Sequence, residues 1–341
     1  MCGWVTLLSP CDRAPYKKTS PFLFTLSSSA GTWCDMACRP ARERLQNRLR
    51  LRNALARECL AEFLGVFVLL LITVAATAQG VTSQNTKGNF FCMYLAGAIA
   101  VVMAIYVSGG VSGGHLNPAF SLSLCVLGRF PWWKLPIYVI IQMVGSFAGA
   151  AAAFALYYDA IQSYTGGNLT VYGPRETASI FSSYPAPYLS IANGFLDQVM
   201  GTAMLMVGIL AIIDSKNKPV PKGLEPVVVG MLVFSIGLSM GANCGYPINP
   251  SRDLGPRLFT YVAGWGSDVF RAGKNWWWVP IVAPCVGAVF GTLLYQILVE
   301  IHHPAQETKA EVSTNVETPA EKTKEIPVFT INLDNSLCHR L

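Results

Sequence analysis

Charged residues are scarce in this sequence. Only 13% of its 341 residues are Asp, Glu, Lys or Arg, whereas 52% are hydrophobic, and soluble domains usually carry about 25% charged residues. The composition therefore excludes an ordinary soluble domain and favours a protein whose solvent is the lipid bilayer. The formal net charge of +6 could indicate nucleic acid. However, the basic residues concentrate near the first apolar segment, which indicates membrane topology instead, and we expect no nucleic-acid partner.

Patterns typical of metal sites and disulfide frameworks are also lacking. The ten cysteines form no Cys-x-x-Cys pair, and five of them lie in or beside apolar segments, so neither zinc nor a set of disulfides is a good interpretation. The four histidines have no metal-ligand spacing with acidic residues. The glycine-rich stretch at residues 109–114 lacks the Lys-Ser/Thr of a phosphate-binding loop. We therefore expect no metal, no cofactor and no enzymatic activity.

The chain divides into a polar head, an apolar body and a polar tail. Residues 1–53 lack the charged start, apolar core and cleavage site of a signal peptide, and we predict that they form a disordered cytoplasmic extension. Residues 54–303 form the predicted membrane domain. Residues 304–341 are rich in Glu, Lys, Thr and Ser, a composition typical of a disordered tail.

Six apolar segments within the body are long enough to span a membrane. They lie near residues 58–79, 89–108, 134–158, 190–213, 225–241 and 278–300. Two further stretches, 118–128 and 250–263, cover only half a bilayer core, because about ten helical residues rise about 15 Å. The sequence thus predicts an all-α membrane protein with six transmembrane helices and two re-entrant half-helices.

The distribution of basic residues predicts the orientation. Several arginines between residues 39 and 57 precede the first span, and Lys216, Lys218 and Lys222 lie between the fourth and fifth. Both termini are therefore predicted to be cytoplasmic, in a multi-pass protein of the plasma membrane. The glycosylation sequon at Asn168 falls in the 159–189 connection, which this topology places outside.

The two half-helices begin with related motifs, which reveal an internal repeat. The boxes are Asn117, Pro118 and Ala119 in the first copy and Asn249, Pro250 and Ser251 in the second. Each box follows a glycine-containing helix start by about 50 residues, and each copy contains three spans. Because three is odd, the second copy must be inverted relative to the first. Inverted repeats with broken helices mark a pathway near the bilayer midplane.

Asparagine is a preferred N-cap and proline is favoured at the first helical position, so one such box would indicate only a well-capped helix. Two inverted boxes allow the half-helices to meet with both positive N-termini at the midplane. Irregular backbone at that depth is tolerated where it is buried or lines a water-filled cavity. We therefore predict a lumen that the Asn117 and Asn249 amides face and that repels protons and other cations.

The boxes closely resemble the paired Asn-Pro-Ala boxes of the major intrinsic proteins, or aquaporins, and the resemblance covers about residues 54–303. Within that family the chain is similar to the aquaglyceroporins, because Asp253 follows an arginine, a glycine-rich run occupies residues 237–243, and two loops are long. The stretches at residues 166–170 and 223–230 resemble the aquaporin-10 branch in particular. The resemblance implies a passive channel for glycerol, water and, as a further permeant, urea. It also implies that ions are excluded and that the protein is a homotetramer in the lipid bilayer.

The resemblance also implies a selectivity filter, with Asp253 as a marker of glycerol specificity. The filter positions are Gly97, Gly237, Tyr246 and Arg252. Many members of the family have a bulky aromatic residue at the position of Gly97, so we predict a filter wide enough for small polyols. A different role for Arg252 would be a structural ion pair with Asp253, which is less favoured because adjacent helical residues do not face each other.

Three further residues are predicted to act on the loops before the boxes. Glu62 and Gln198 occupy matching positions in the two copies and are expected to brace those loops, although the family commonly has glutamate where Gln198 stands. His115 lies two residues before Asn117. It is interpreted either as a hydrogen-bonding brace or as a pH-sensitive group, because histidine titrates near physiological pH.

Small residues and tryptophans indicate how the helices pack and where the membrane surface lies. The small-residue motifs at positions 145–153 and 287–291 could pack the bundle interior or a subunit contact. Residues 276–278, three tryptophans, are predicted to form an interfacial aromatic belt.

Two rival functions are compatible with six spans. An ion-coupled secondary transporter also uses inverted repeats and broken helices, although it would normally place several acidic groups at the midplane. Within the family, a strict water channel is the rival to a polyol channel.

Overall fold

The computed structural model describes residues 43, 45–221 and 223–304. Within these residues every regular element is helical and no strand occurs, as the sequence predicts. The proposed tail and nearly all of the proposed head lie outside the described residues. The part that begins at Asn53 is one compact unit and contains every element discussed below.

Among the described residues, six helices are long and apolar enough to cross a membrane, which confirms the predicted number of spans. We number the helices in chain order. The long ones are α1 (Ala54–Thr82), α2 (Phe90–Ser112), α4 (Leu135–Leu156), α6 (Ile191–Ile213), α7 (Glu225–Cys244) and α10 (Val279–Leu298). Shorter helices are α3 (Pro118–Val126), α5 (Tyr158–Thr165), α8 (Pro250–Thr260) and α9 (Asp268–Asn275).

Local sequence explains where the long helices begin and end. Asn53 and Asn89 cap α1 and α2 by accepting hydrogen bonds from backbone N–H groups of the first turn. Such caps satisfy donors that the helix itself cannot pair. Helices α2 and α7 both end at a glycine with positive φ, namely Gly113 at 87° and Gly245 at 76°. This left-handed conformation suits glycine, and each of these glycines starts one of the two loops that lead to a box.

The half-helices α3 and α8 have nine and eleven residues, so they rise only about 14 and 17 Å. Each packs against a long helix of the other copy: α3 contacts α10, and α8 contacts α4. The two half-helices also contact each other. This exchange joins the two halves of the chain in one core.

Small residues let the long helices approach closely within each copy. A Cβ atom on Gly145 or Gly149 of α4 would lie 2.8 Å from a backbone carbonyl oxygen of α1. On α10, Gly287 and Gly291 meet the carbonyl oxygens of Val199 and Ala203 on α6. These motifs therefore pack the interior of each copy, as the first of their two interpretations predicts.

The predicted tryptophan belt is wrong for one of its members. Trp276 is fully buried, and its ring packs against Gly194 at the start of α6, whereas the side chain of Trp277 is 37% exposed. The Trp276 indole N–H also lies 3.3 Å from Ser183 Oγ. The ring is buried by a contact with a residue more than 80 positions away in the sequence. Local sequence does not encode such a contact.

We predict that Gly287→Ala lowers the melting temperature of the protein in detergent. The new methyl group would collide with the Val199 carbonyl and force α6 and α10 apart, and overpacking of this kind typically costs about 1–3 kcal/mol. Gly110→Ala is the matched control, because nothing lies within 4 Å of a Cβ at that position. Equal melting temperatures for the two variants would contradict this packing account.

Candidate functional site

The two box asparagines each cap their own half-helix and bind the loop of the other. Asn117 Oδ1 accepts a hydrogen bond from Ala119 N (2.9 Å), while its Nδ2 donates to the carbonyl oxygen of Ile248 (3.0 Å). Asn249 Oδ1 accepts from the backbone N of Ser251 (3.0 Å), and its Nδ2 donates to the Leu116 carbonyl (2.9 Å). The half-helices therefore meet at their N-termini, tied by two reciprocal bonds.

Each asparagine amide still has hydrogen-bonding capacity toward the lumen. An amide NH₂ group carries two donors, and only one donor of each box amide is used by a side-chain bond within the described part of the chain. Both asparagines also line the central cavity. The remaining N–H groups are therefore available to a solute that passes between the two helix ends.

The loops before the boxes hold non-glycine residues in the left-handed region. Leu116 has φ 56° and Ile248, at the matching position of the second loop, has φ 35°. This conformation is costly for a β-branched residue such as isoleucine and persists only where surrounding contacts impose it. Leu116 and Ile248 each present the carbonyl that the opposite asparagine binds.

Glu62 supplies those contacts for the first loop. Its fully buried carboxylate accepts hydrogen bonds from the backbone N of His115 (2.9 Å) and of Leu116 (2.8 Å). It also accepts from Ser112 Oγ (2.6 Å) and from the Gln142 side-chain amide (2.8 Å). Both carboxylate oxygens are thus occupied, which is the geometry of a loop brace.

Gln198 occupies the matching place in the second copy, with the acid and the amide exchanged. Its Oε1 accepts from Ile248 N (3.1 Å), while Nε2 donates to Asp197 Oδ2 (2.9 Å) and to Cys244 Sγ (2.9 Å). Asp197 also accepts a 2.6 Å bond from Asn243. Each brace therefore combines one carboxylate with one amide. A glutamate at 198 would set two carboxylates against each other.

His115 is buried at the start of the first half-helix, with 8% of its surface exposed. Its Nδ1 lies 3.0 Å from Ser121 Oγ. Its ring packs against Phe120, Phe130 and Tyr138, with centroid distances of 4.6–5.4 Å. His115 is also among the lining residues of the cavity, so this histidine both packs the loop and borders the lumen.

Three of the four predicted filter residues, Gly97, Tyr246 and Arg252, line the cavity. The Tyr246 ring lies on Gly237, where a Cβ would be only 2.7 Å from Cζ, and meets Tyr94 edge to face at 4.9 Å. Gly237 itself therefore lies behind the tyrosine and makes room for its ring. Arg252 lines the cavity, and its Nη1 donates to the Phe181 carbonyl oxygen at 2.9 Å.

Gly97 lines the cavity and leaves that part of the wall without a side chain. A Cβ built there would make ordinary van der Waals contacts, the nearest at 3.6 Å, so an aromatic side chain at this position would take up space in the cavity. The nearest groups are the Tyr246 hydroxyl and the Thr73 side chain. Gly97 therefore leaves a notch in the cavity wall.

Asp253 does not face the lumen, and it does not pair with Arg252. Instead it forms a fully buried ion pair with Arg257, one helical turn later, at 2.8 and 3.0 Å. Asp253 Oδ2 also accepts two bonds from Ser183, while the Arg257 guanidinium donates to the carbonyl oxygens of Ser183 (2.6 Å) and Val269 (2.7 Å). The pair thus fixes the loop that carries Phe181 against α8.

Sequence reasoning missed Arg257, although its spacing from Asp253 was a usable signal. Residues four apart on a helix lie on one face, and a buried charge must be paired.

Within the described residues no group of three or more His, Cys, Asp or Glu side chains could hold a metal ion.

The central cavity has a volume of about 900 Å³. Its lining includes Asn85, in the connection between α1 and α2, and Ile213, the last residue of α6. Apart from Glu176 and Glu225, Arg252 is the only Lys, Arg, Asp or Glu residue among the described lining residues. The arrangement is one largely apolar cavity with a polar centre.

Comparisons with known proteins agree with this geometry. The family model described as "Major intrinsic protein" matches residues 50–295. The chain is 64% identical to human Aquaporin-10 over 81% of its length and 94% of that protein. It is 49% identical to human Aquaporin-9 over 80% and 93%, respectively. A solved structure, the aquaglyceroporin from Plasmodium falciparum, superposes with a TM-score of 0.66 at 32% identity, covering 72% of this chain and 97% of that one.

We predict that Gln198→Glu lowers the melting temperature. The substitution replaces a donor to Asp197 with a second carboxylate, and a buried unsatisfied or repelled polar group costs about 1–3 kcal/mol. Adding Asp197→Asn restores a donor opposite the new carboxylate, so the double variant should recover much of the loss. If the double variant is no more stable than Gln198→Glu alone, the exchange of acid and amide does not explain the residue at 198.

Proposed function

The chain belongs to the major intrinsic protein family, and on that basis we propose that it is a passive membrane channel for glycerol and water that excludes ions and protons. The observation that carries the proposal is the meeting of two capped half-helices inside one continuous cavity. This arrangement offers hydrogen bonds to a neutral solute at the centre of the cavity.

Ion exclusion follows from the charge of the central region. Helix N-termini carry a partial positive charge, and here two of them converge on the same point. Arg252 adds a full positive charge at the filter. Cations and protons are repelled by this field, and an ion that sheds its hydration shell receives too few ligands in return, because the wall is mainly apolar.

Passage of a polyol follows from the width of the filter. Gly237 lets the Tyr246 ring lie against α7, and Gly97 leaves its part of the wall without a side chain. A solute with a carbon skeleton can contact the Tyr246 ring while its hydroxyl groups bind Arg252 and the box amides. The filter thus consists of Gly97, Gly237, Tyr246 and Arg252. Asp253 acts indirectly, because it fixes the loop that Arg252 binds.

Other features of the assignment rest on the sequence and the family. We propose that urea is a further permeant and that the protein is a homotetramer. We also propose that it lies in the plasma membrane with both termini cytoplasmic. Lys216 and Lys218 between α6 and α7 support this orientation. Asn168 is exposed, so it is accessible to glycosylation on the opposite side. The proposed domain limits are residues 1–53, 54–303 and 304–341.

The rival functions are less well supported. A secondary transporter coupled to ions would need acidic or other cation-binding groups at the centre, where the described residues place two asparagine amides and an arginine. A strict water channel would need a narrower filter than one with a notch at Gly97.

We predict that proteoliposomes containing the protein shrink in a sucrose gradient and, in a glycerol gradient, shrink and then reswell faster than protein-free vesicles. Stopped-flow light scattering measures both phases. Gly97→Phe should slow reswelling more than shrinkage, because a ring in the notch narrows the filter. Gly110→Phe, outside the lumen, is the control. Rapid shrinkage without glycerol entry would show a strict water channel and overturn the polyol assignment.

The role of His115 makes a separate prediction. Protonation would place a charge among three aromatic rings beside the lumen and would alter the packing of the loop. Because burial disfavours the charged imidazole, glycerol permeability should change only well below about pH 6.5, where an ordinary histidine titrates. His115→Ala should lose this dependence, whereas His302→Ala, an exposed residue after α10, should keep it. Identical pH profiles for His115→Ala and the parent protein would leave His115 as a packing residue only.

A further inference from the structure

A second cavity adjoins the central one and has a volume of about 600 Å³. It is lined by residues of α1, of α5 and of the connections around them, and Gln84 and Tyr164 line both cavities. Every described lining residue of the second cavity except Ala160 carries a polar side-chain group. This lining suits a polar ligand and offers little apolar surface to a hydrocarbon chain.

The second cavity has two positive charges and no negative one among its described lining residues. The charged residues are Lys87, between α1 and α2, and Arg175, between α5 and α6. Both are exposed, and neither side chain forms an ion pair or a hydrogen bond with another residue that the structure describes. Because a cleft lined by charges of one sign attracts the opposite sign, this cavity favours an anion.

Glu176, the acidic residue next to Arg175 in the sequence, is bound elsewhere. Its carboxylate accepts hydrogen bonds from Ser179 N (3.1 Å) and Ser179 Oγ (2.6 Å). Glu176 lines the central cavity and is not among the lining residues of the second one. The charge of Arg175 therefore stays available to a ligand.

The backbone that carries Lys87 is fixed to α1. Gln79 Nε2 donates a hydrogen bond to the Lys87 carbonyl oxygen (2.7 Å), and Gln79 Oε1 accepts one from the Tyr157 hydroxyl (3.3 Å). The backbone N of Lys87 also donates to Ser83 Oγ (3.1 Å). A segment held in this way loses less freedom when a ligand binds, which favours affinity.

The turn that carries Arg175 is fixed to α5 in a similar way. The Tyr164 hydroxyl donates to the Pro174 carbonyl oxygen (3.3 Å), and the backbone N of Glu176 donates to the Gly173 carbonyl oxygen (3.2 Å). Two cations from separate connections are thus held at one cavity by the helices on either side of it.

We propose that the second cavity is a binding site for a soluble, phosphate-bearing anion. A guanidinium binds phosphate oxygens in pairs, and an ammonium group adds a point charge. The Gln84 amide and the Ser163 hydroxyl also line this cavity, and neither side chain makes a hydrogen bond within the described part of the chain. The tetrahedral oxygens of a phosphate group can accept hydrogen bonds from all four side chains, whereas the two coplanar oxygens of a carboxylate match fewer of them.

A phospholipid headgroup has the same chemistry, but the polar lining favours a soluble ligand, because the acyl chains of a lipid would find almost no apolar contact there. The proposal does not depend on which solute the central cavity conducts, since it concerns a different set of charged groups. Its test can therefore succeed or fail independently of glycerol permeation.

The experiment measures the binding of inorganic phosphate to the purified full-length protein in a maltoside detergent by phosphorus-31 NMR at constant ionic strength. Lys87→Gln and Arg175→Gln should each raise the dissociation constant about tenfold, the factor that corresponds to one hydrogen bond to a charged group. Lys274→Gln and Arg271→Gln are the matched controls. Both of these residues are exposed and line neither cavity, so their variants should bind phosphate as the parent protein does.

Weaker binding in Lys87→Gln and Arg175→Gln alone would support the site. Absence of phosphate binding by the parent protein would overturn it, and so would equal weakening in all four variants, which would show attraction to net charge only. A phospholipid that co-purifies with the parent protein and is lost in Lys87→Gln, without binding of free phosphate, would assign the cavity to a lipid and would also overturn the proposal. Substitutions at exposed positions usually change stability little, so all four variants should keep the melting temperature of the parent.

Discussion

The reciprocal hydrogen bonds between the box asparagines and the opposite loops are the interaction on which the rest of the structure depends. Each amide caps one half-helix and binds the carbonyl before the other cap, so neither half-helix can move without the other. The bonds hold two irregular backbone segments at the centre of the bundle, where unsatisfied polar groups are costly. Glu62 and Gln198 then satisfy the backbone N–H groups of the same loops. The polar groups of these two loops that are not used in internal hydrogen bonds form the polar centre of the lumen.

A second set of contacts fixes the position of the filter residue Arg252 relative to the half-helices. Half-helix α8 carries Arg252 toward the lumen and, on its other face, the buried Asp253–Arg257 pair. That pair binds the loop at Ser183, and Arg252 binds the carbonyl of Phe181 in the same loop. The position of the filter guanidinium is thus fixed from both sides. On the remaining wall of the cavity, Gly97 carries no side chain, and its nearest neighbours are Thr73 and the Tyr246 hydroxyl group.

Sequence reasoning predicted the features that local chemistry encodes. The lengths of the apolar segments predicted six spans and two short helices that begin at the Asn-Pro boxes. The odd number of spans in each copy predicted the inverted relation of the two copies. It could not predict which groups meet across the bundle. Gln198 is explained only by the carboxylate of Asp197 and the loop it braces, and Trp276 is buried because Gly194 leaves room for it. The partner of Asp253 had a local signal in the four-residue spacing to Arg257, but the choice between lumen and core depended on the tertiary fold. Likewise, the notch at Gly97 was visible as a missing ring, whereas the second cavity, at Lys87 and Arg175, was not.

The central claim is that a fixed, neutral-solute pathway runs through the meeting point of the two half-helices. The most direct test measures the initial rate of glycerol influx into proteoliposomes against the glycerol gradient, first in symmetric ionic solutions and then with imposed sodium or proton gradients. We expect a rate that is proportional to the glycerol gradient and unchanged by either ion gradient. Saturation at low glycerol concentration, together with accumulation of glycerol driven by an ion gradient, would contradict this claim.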